Sequence, residues 1–267
     1  MKFVCPVCRQ ELLKKDNSYY CADGHCFDCA KSGYLNLLRT SSGGNHGDNK
    51  LMINARRDFL EKGYYEKFRD AVSEALAEYC KPDGTVLDCG CGEGYYTRCF
   101  KERMPSAELC ALDISKHALK LASSRSKDID FAVASSFDIP LPDGSVDALV
   151  EIFSPFCRAE FARVLKPGAY LIMALPLENH LIELKSAVYD TPYKNEPGKF
   201  EIDGFELLEK KDLKYKVNIT DNSDIKNLFM MTPYYYKTGE ENQSRLNTLQ
   251  QLELSLEFCI AVYKKCV

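Results

Sequence analysis

The stretch Val86–Thr97, VLDCGCGEGYYT, constrains the fold more than any other, because it joins a strand signal to a glycine turn and then to a helix start. Thr85 to Asp88 is a short apolar run that ends in a carboxylate, and Gly90, Gly92 and Gly94 follow it. A run of this kind bounded by a tight turn reads as a buried parallel strand. Glycines there permit positive φ and let backbone approach a ligand with no Cβ in the way. The fold class that follows is α/β, with a nucleotide-like ligand at the carboxyl end of the strand.

Two carboxylates refine the reading. A loop that grips a pyrophosphate works through a helix N-terminus, and an acid inside it would be repelled. Asp88, placed before the glycines, suits a cationic ligand end instead. The next strand, Glu108 to Ile114, carries Asp113 at its end, the position about 20 residues on where an acid binds ribose hydroxyls. The pattern D-x-G-x-G-x-G resembles the first motif of class I S-adenosylmethionine (SAM) methyltransferases, whose loop lies against the amino-acid part and sulfonium of SAM. That resemblance implies cofactor contacts from Asp88, Gly90, Gly92 and Asp113. An ordinary dinucleotide fold is the other reading.

Helices expected over 95–102, 115–124 and 158–165 alternate with strands over 108–113, 129–134, 146–153 and 169–175. Such alternation implies a Rossmann-like parallel sheet with helices on both faces. Beyond Pro176 a helix over 178–187 containing His180, a strand over 205–219, a helix over 222–230 and a strand over 252–264 complete a seven-stranded sheet. Ser135 stands where many members of this class place an acid for the adenine amino group. Here Ser135 or Ser136 hydroxyls, or backbone, are expected to replace it. The loop Glu151–Phe156 is where the class positions its acceptor, with Phe153 or Phe156 available to stack on a base. Glu151 reads either as a general base or as a solvent-facing acid, and the catalytic residue is left unassigned.

The N-terminal part is of another kind. Of 13 cysteines, five fall in the first 29 residues, and no apolar h-region precedes them. Cys5-x2-Cys8 followed by Cys21-x3-His25 has zinc-knuckle spacing, and Cys26 and Cys29 offer a second pair. A closed four-ligand site of this type is structural. Phe27 and Tyr34 beside it read as the knuckle's small core or as base-stacking aromatics. A polar, glycine-rich stretch over 39–50 separates this module, 1–38, from the methyltransferase domain, 51–267. Read as two units on a linker, loss of Cys5 is expected to release zinc and spare SAM binding. On the helix that opens the second unit, Met52, Ala55, Phe59 and Leu60 form one stripe, and Arg56 and Arg57 read as anion holders or a solvated face.

Net charge is −4, with +3 on residues 1–60 and −7 on the rest, so a basic coat for nucleic acid is excluded but a focused contact is not. No apolar run approaches the roughly 18 residues that span a bilayer, and a cytoplasmic location is the default expectation.

Taken together, CPVCRQ, FDCAKSGYLNLL, ARRDFLEKGYY, LDCGCGEGYYT, RVLKPG, LPLENHLIELK and MTPYYY resemble the RlmA family of 23S rRNA (guanine-N1)-methyltransferases over essentially the whole chain. The resemblance implies zinc at Cys5, Cys8, Cys21 and His25, and further SAM contacts from Tyr65, Tyr96, Thr97 and His180. It also implies a 23S rRNA hairpin as partner and a homodimer. A small-molecule C- or O-methyltransferase, and a non-enzymatic zinc-dependent RNA-binding adaptor, are the alternatives.

Overall fold

The computed structural model describes residues 2–39 and 47–267, so most of the expected linker, 40–46, lies outside the described residues. The chain begins with three short strands, β1 (Leu13–Lys15), β2 (Ser18–Tyr20) and β3 (Cys26–Asp28), that form an antiparallel sheet. Next come β4 (Tyr34–Asn36), α1 (Lys50–Leu60), α2 (Glu66–Tyr79), β5 (Thr85–Cys89), α3 (Tyr95–Arg103) and β6 (Glu108–Asp113). They are followed by α4 (Lys116–Arg125), β7 (Asp130–Val133), β8 (Val146–Ile152), α5 (Arg158–Val164), β9 (Leu165–Pro176) and α6 (Ile182–Val188). The chain ends with β10 (Phe205–Ile219), α7 (Asn222–Met230), α8 (Glu240–Ser244) and β11 (Leu252–Lys265).

The main sheet runs β10-β11-β9-β8-β5-β6-β7-β4. Its first seven strands are the sheet expected from the sequence. The eighth, β4, comes from the N-terminal segment and pairs in parallel with β7, Leu35 opposite Ala132. Leu37 N–H extends that contact to Val133 O at 2.9 Å. Leu35 is fully buried there, so the aromatic-aliphatic run FDCAKSGYLNLL completes the sheet edge as well as the knuckle.

Strand alternation divides the core. Val86, Ala111 and Val150 face α1 to α4, α6 and α7, together with Phe68, Phe100 and Phe258. Leu87, Cys110 and Leu149 face the other way, onto Phe161 of α5 and onto Phe3, Leu12 and Leu35 of the N-terminal segment. The zinc-module residues therefore do the work of a helix layer on that face.

Local chemistry explains the helix starts. Asn49 accepts from Met52 N–H at the start of α1, and Ser115 accepts from Ala118 N–H at the start of α4. One expectation is corrected: His180 is not inside a helix. α6 begins only at Ile182, after Leu181 takes a left-handed φ of 59°. Leu177 N–H donates to Glu257 O at 3.0 Å and Leu181 N–H to Ser255 O at 3.1 Å, so β11 holds this segment as a turn.

Candidate active site and zinc cluster

A cavity of about 870 Å³ opens outside the carboxyl ends of β5 to β8. This is where ligands bind in open α/β sheets, at the switch in strand order. Its floor is the glycine loop. Gly90, at φ 88°, has no room for a side chain, since a Cβ there would lie 2.4 Å from Ser154 Cβ. The N–H groups of Gly90 and Cys91 both donate to Leu112 O, at 2.8 and 2.9 Å. Gly92 N–H donates to Asp113 Oδ2 at 3.0 Å. These three amides are thus turned to β6 and away from a ligand anion, which fits a cationic ligand better than a pyrophosphate.

Asp113 uses its other oxygen to accept from Ser115 N–H at 2.8 Å. Burial raises its pKa, and the bonds from Ser115 and Gly92 oppose that rise. A carboxylate has about four acceptor positions, so acceptor capacity remains at Asp113 beyond the bonds from Gly92 and Ser115.

Of the residues expected at the cofactor, Tyr65, Gly90, Gly92, Tyr96, Asp113, Ser135 and His180 all line the cavity. Asp88 and Thr97 do not. They lie beneath the wall, where Thr97 Oγ1 donates to Asp88 Oδ2 at 2.6 Å and ties α3 to β5. Burial pushes the Asp88 carboxyl up to about 7; the Thr97 bond opposes this and the charge of Asp113 adds to it.

His180 is buried, with Nδ1 accepting from Glu257 N–H at 3.2 Å. That bond leaves the proton on Nε2, which faces Tyr65 Oη at 3.4 Å. Burial lowers the His180 pKa to about 3, and the charge of Lys185 adds to the effect, so the ring is neutral. Tyr65 Oη then accepts from His180 and keeps its own hydrogen for the cavity.

In the loop after β8, Phe153 has a φ of 54°, uncommon for a bulky residue, and is 45% exposed on the cavity wall. Phe156 instead packs edge-on against Phe161, 5.2 Å between ring centres, and does not line the cavity. Glu151 is buried and accepts from Ser154 N–H; burial raises its pKa to about 7, against the Ser154 bonds. It holds the loop and does not face solvent.

The second cluster lies in the N-terminal segment. One donor atom each of Cys5, Cys8, Cys21 and His25 falls within 4.8 Å of all the others. Cys21 Sγ and His25 Nδ1 are 3.2 Å apart, and Cys8 and Cys21 sulfurs 3.5 Å. Three thiolates and one imidazole at these separations fit a tetrahedral zinc ion. Cys26 is exposed on β3 and, like Cys29, stands outside the cluster.

The zinc-ribbon family described as "RlmA, N-terminal" matches residues 3–41, and the family described as "Methyltransferase domain" matches residues 86–168. A protein of Micromonospora griseorubida, provisionally named a 23S rRNA (guanine-N(1)-)-methyltransferase, is 37% identical over 67% of this chain and 67% of its own. The chain belongs to the RlmA family. A Streptomyces fradiae relative named 23S rRNA (guanine(748)-N(1))-methyltransferase is 34% identical, over 69% of this chain and 66% of its own. YxjB of Bacillus subtilis is 29% identical and aligns over 98% of this chain and 97% of its own. Among solved structures, YcgJ of Bacillus subtilis superposes with a TM-score of 0.53 at 16% identity, covering 74% of this chain and 99% of that one; this shows the fold alone.

As an RlmA-family methyltransferase, the chain uses SAM and structural zinc. The cavity also holds residues that the sequence did not place at the cofactor. Glu93, inside the glycine loop, lines the cavity and pairs with Arg125 at 3.1 Å; burial raises its pKa to about 6, opposed by Arg125 and then Arg56. Asn195 and Tyr234 line the far wall, held by the fully buried Lys185, whose Nζ donates to Asn195 Oδ1 at 2.7 Å and lies 4.9 Å from the Tyr234 ring centre. Arg56 meets Asp48 at 2.5 Å on the cavity wall, whereas Arg57 pairs with its neighbour Asp58.

Proposed function

We propose that this chain transfers a methyl group to N1 of a guanine in a hairpin of 23S rRNA, working in the cytoplasm as a homodimer. SAM supplies an electrophilic methyl group on a sulfonium, ready for in-line displacement. The chain's task is then orientation and exclusion of water. In this reading Asp113 holds the ribose hydroxyls, Gly90 and Gly92 lie against the methionine part, and Ser135 faces adenine. Tyr65, Tyr96 and His180 close the side of the site. Asp88 and Thr97 fix the loop from beneath. Cys5, Cys8, Cys21 and His25 hold zinc, and residues 1–38 form the RNA-recognition module, joined through 39–50 to the catalytic domain, 51–267.

The observation that carries the acceptor side is Phe153, a half-exposed aromatic ring in a strained backbone on the cavity wall. A guanine taken out of its stack needs such a face, and base–aromatic stacking contributes about 1–3 kcal/mol. Guanine N1 carries a proton at neutral pH and must lose it as the methyl is transferred, so an acceptor group within about 3 Å is required. Among the described residues no helix is long and apolar enough to cross a membrane.

The test is transfer of labelled methyl from SAM to 23S rRNA taken from a strain lacking the gene, with nucleoside analysis of the product. Label in 1-methylguanosine supports the reading. Binding of SAM with no labelled rRNA would assign the fold a different substrate.

A further inference from the structure

The loop Ser135–Asp138 is touched from two sides. Ser135, Ser136 and Phe137 line the cavity, and the zinc module grips the adjoining residues from behind. Arg9 directly follows Cys8 and sits in the left-handed region at φ 61°, its N–H donating to Cys5 O at 2.8 Å. This is the same turn that brings Cys5 and Cys8 together. From it the Arg9 guanidinium donates through Nη1 to Ile139 O at 2.8 Å and through Nη2 to the Asp138 carboxylate. Val4 N–H adds a bond to Pro140 O at 2.9 Å. Within the loop, Asp138 N–H donates to Ser135 O at 3.1 Å and Phe137 N–H to Ser135 Oγ at 3.1 Å. A side chain of the knuckle is therefore two hydrogen bonds away from the cavity wall.

Other groups hold the loop further along. Ile139 N–H donates to Glu160 Oε2 and Arg163 Nη2 donates to Ile139 O, both at 2.7 Å. These fasten the backbone at Ile139 to α5 and leave Asp138 to Arg9, with Arg39 more distant at 3.9 Å.

We propose that Arg9 is a positioning residue through which zinc binding holds the Ser135–Asp138 loop in the shape that receives the adenosyl end of SAM. The inference rests on the cofactor placement proposed above, and it departs from the expectation that zinc loss spares SAM binding. Coupling of this kind is reciprocal, so the cofactor must tighten zinc binding by the factor by which zinc tightens cofactor binding.

The experiment is calorimetric titration of the full chain with S-adenosylhomocysteine, for wild type, Arg9→Ala and Arg9→Lys, each zinc-loaded and after chelation. Amide hydrogen exchange at Phe137 and Asp138 is followed in parallel. Zinc-loaded Arg9→Ala should bind about 5- to 10-fold more weakly than wild type, and chelation should weaken wild type by a similar factor but the variant by less than about twofold. Arg9→Lys should fall between, and the two amides should exchange faster in Arg9→Ala. Affinity within about twofold of wild type in zinc-loaded Arg9→Ala, with unchanged exchange, overturns the coupling. Faster exchange with unchanged affinity also overturns it and counts against adenine on Ser135. Because Arg9→Ala is tested with zinc bound, unfolding of the module does not confuse the result.

Discussion

Tyr65 Oη and His180 Nε2 meet at 3.4 Å inside the protein, 115 residues apart in the chain. The first caps α2 and the second sits in the turn before α6, so their contact joins the start of α2 to the segment between β9 and α6 at the cavity. With His180 Nε2–H donating to it, Tyr65 can direct its own O–H only into the cavity. Tyr65→Phe should weaken S-adenosylhomocysteine binding by about 1 kcal/mol, the net contribution of one hydrogen bond. The folded His180 pKa, about 3, lies below the ordinary value of 6.5, so the unfolded chain binds the extra proton between those values. The His180 contribution is full above pH 6.5 and is lost as pH falls toward 3. The Tm gap between wild type and His180→Gln should narrow from pH 7 to pH 5, and a constant gap would count against a buried neutral ring.

Asp88 should behave in the opposite sense. Its folded pKa, about 7, exceeds the ordinary 3.8, so the folded chain holds the extra proton and stability falls as pH rises through that window. Asn at this position still accepts from Thr97. Asp88→Asn should therefore gain on wild type as pH rises from about 4 to about 7 and keep that gain above, on the order of 1 kcal/mol or about 2–4 °C in Tm. Glu151, raised to about 7 by burial and further by the charge of Asp88, loses that second cause in Asp88→Asn, so its change adds to the gain of the variant. Parallel pH profiles of the two would contradict the buried, protonated Asp88.

Asp113→Asn keeps one acceptor for the loop but removes the charge and half the acceptor capacity. Binding of S-adenosylhomocysteine should weaken about 10- to 100-fold, equivalent to about 1.4–2.7 kcal/mol. Thermal stability should fall by about 1–3 kcal/mol, because the Asn amide nitrogen leaves the Gly92 or the Ser115 N–H without an acceptor. Unchanged affinity would place the ribose elsewhere.

Phe153→Ala should raise KM for rRNA roughly tenfold and leave S-adenosylhomocysteine affinity within about twofold, since base stacking contributes about 1–3 kcal/mol. Phe156→Ala, whose ring packs against Phe161 away from the cavity, should not reproduce that split. Equal effects of the two would remove Phe153 from the acceptor site.

The strand-turn-helix from Thr85 and the acid at Asp113 were legible because local periodicity, glycine chemistry and spacing all act within about 30 residues. The cysteine pairs were legible by spacing for the same reason; spacing left Cys26 and Cys29 open, the family resemblance favoured Cys21 and His25, and packing gathers those two with Cys5 and Cys8. What depends on distant contacts was not legible. The three-residue strand β4 has too little pattern to announce its pairing with β7. The Tyr65–His180 contact and the seat of Lys185 among Tyr193, Asn195 and Tyr234 are made by chain segments with no shared period. Local helix signals around His180 lost to two backbone bonds from β11.

A methyl group on guanine N1 blocks Watson–Crick pairing and halts reverse transcription, which makes the product visible on rRNA from cells. Primer extension across 23S rRNA should show one strong stop in a hairpin in cells that carry this gene. The stop should vanish in the deletion strain, return with the wild-type gene and not return with Asp113→Ala. An identical pattern of stops in all four strains would contradict methylation of 23S rRNA guanine N1 by this protein.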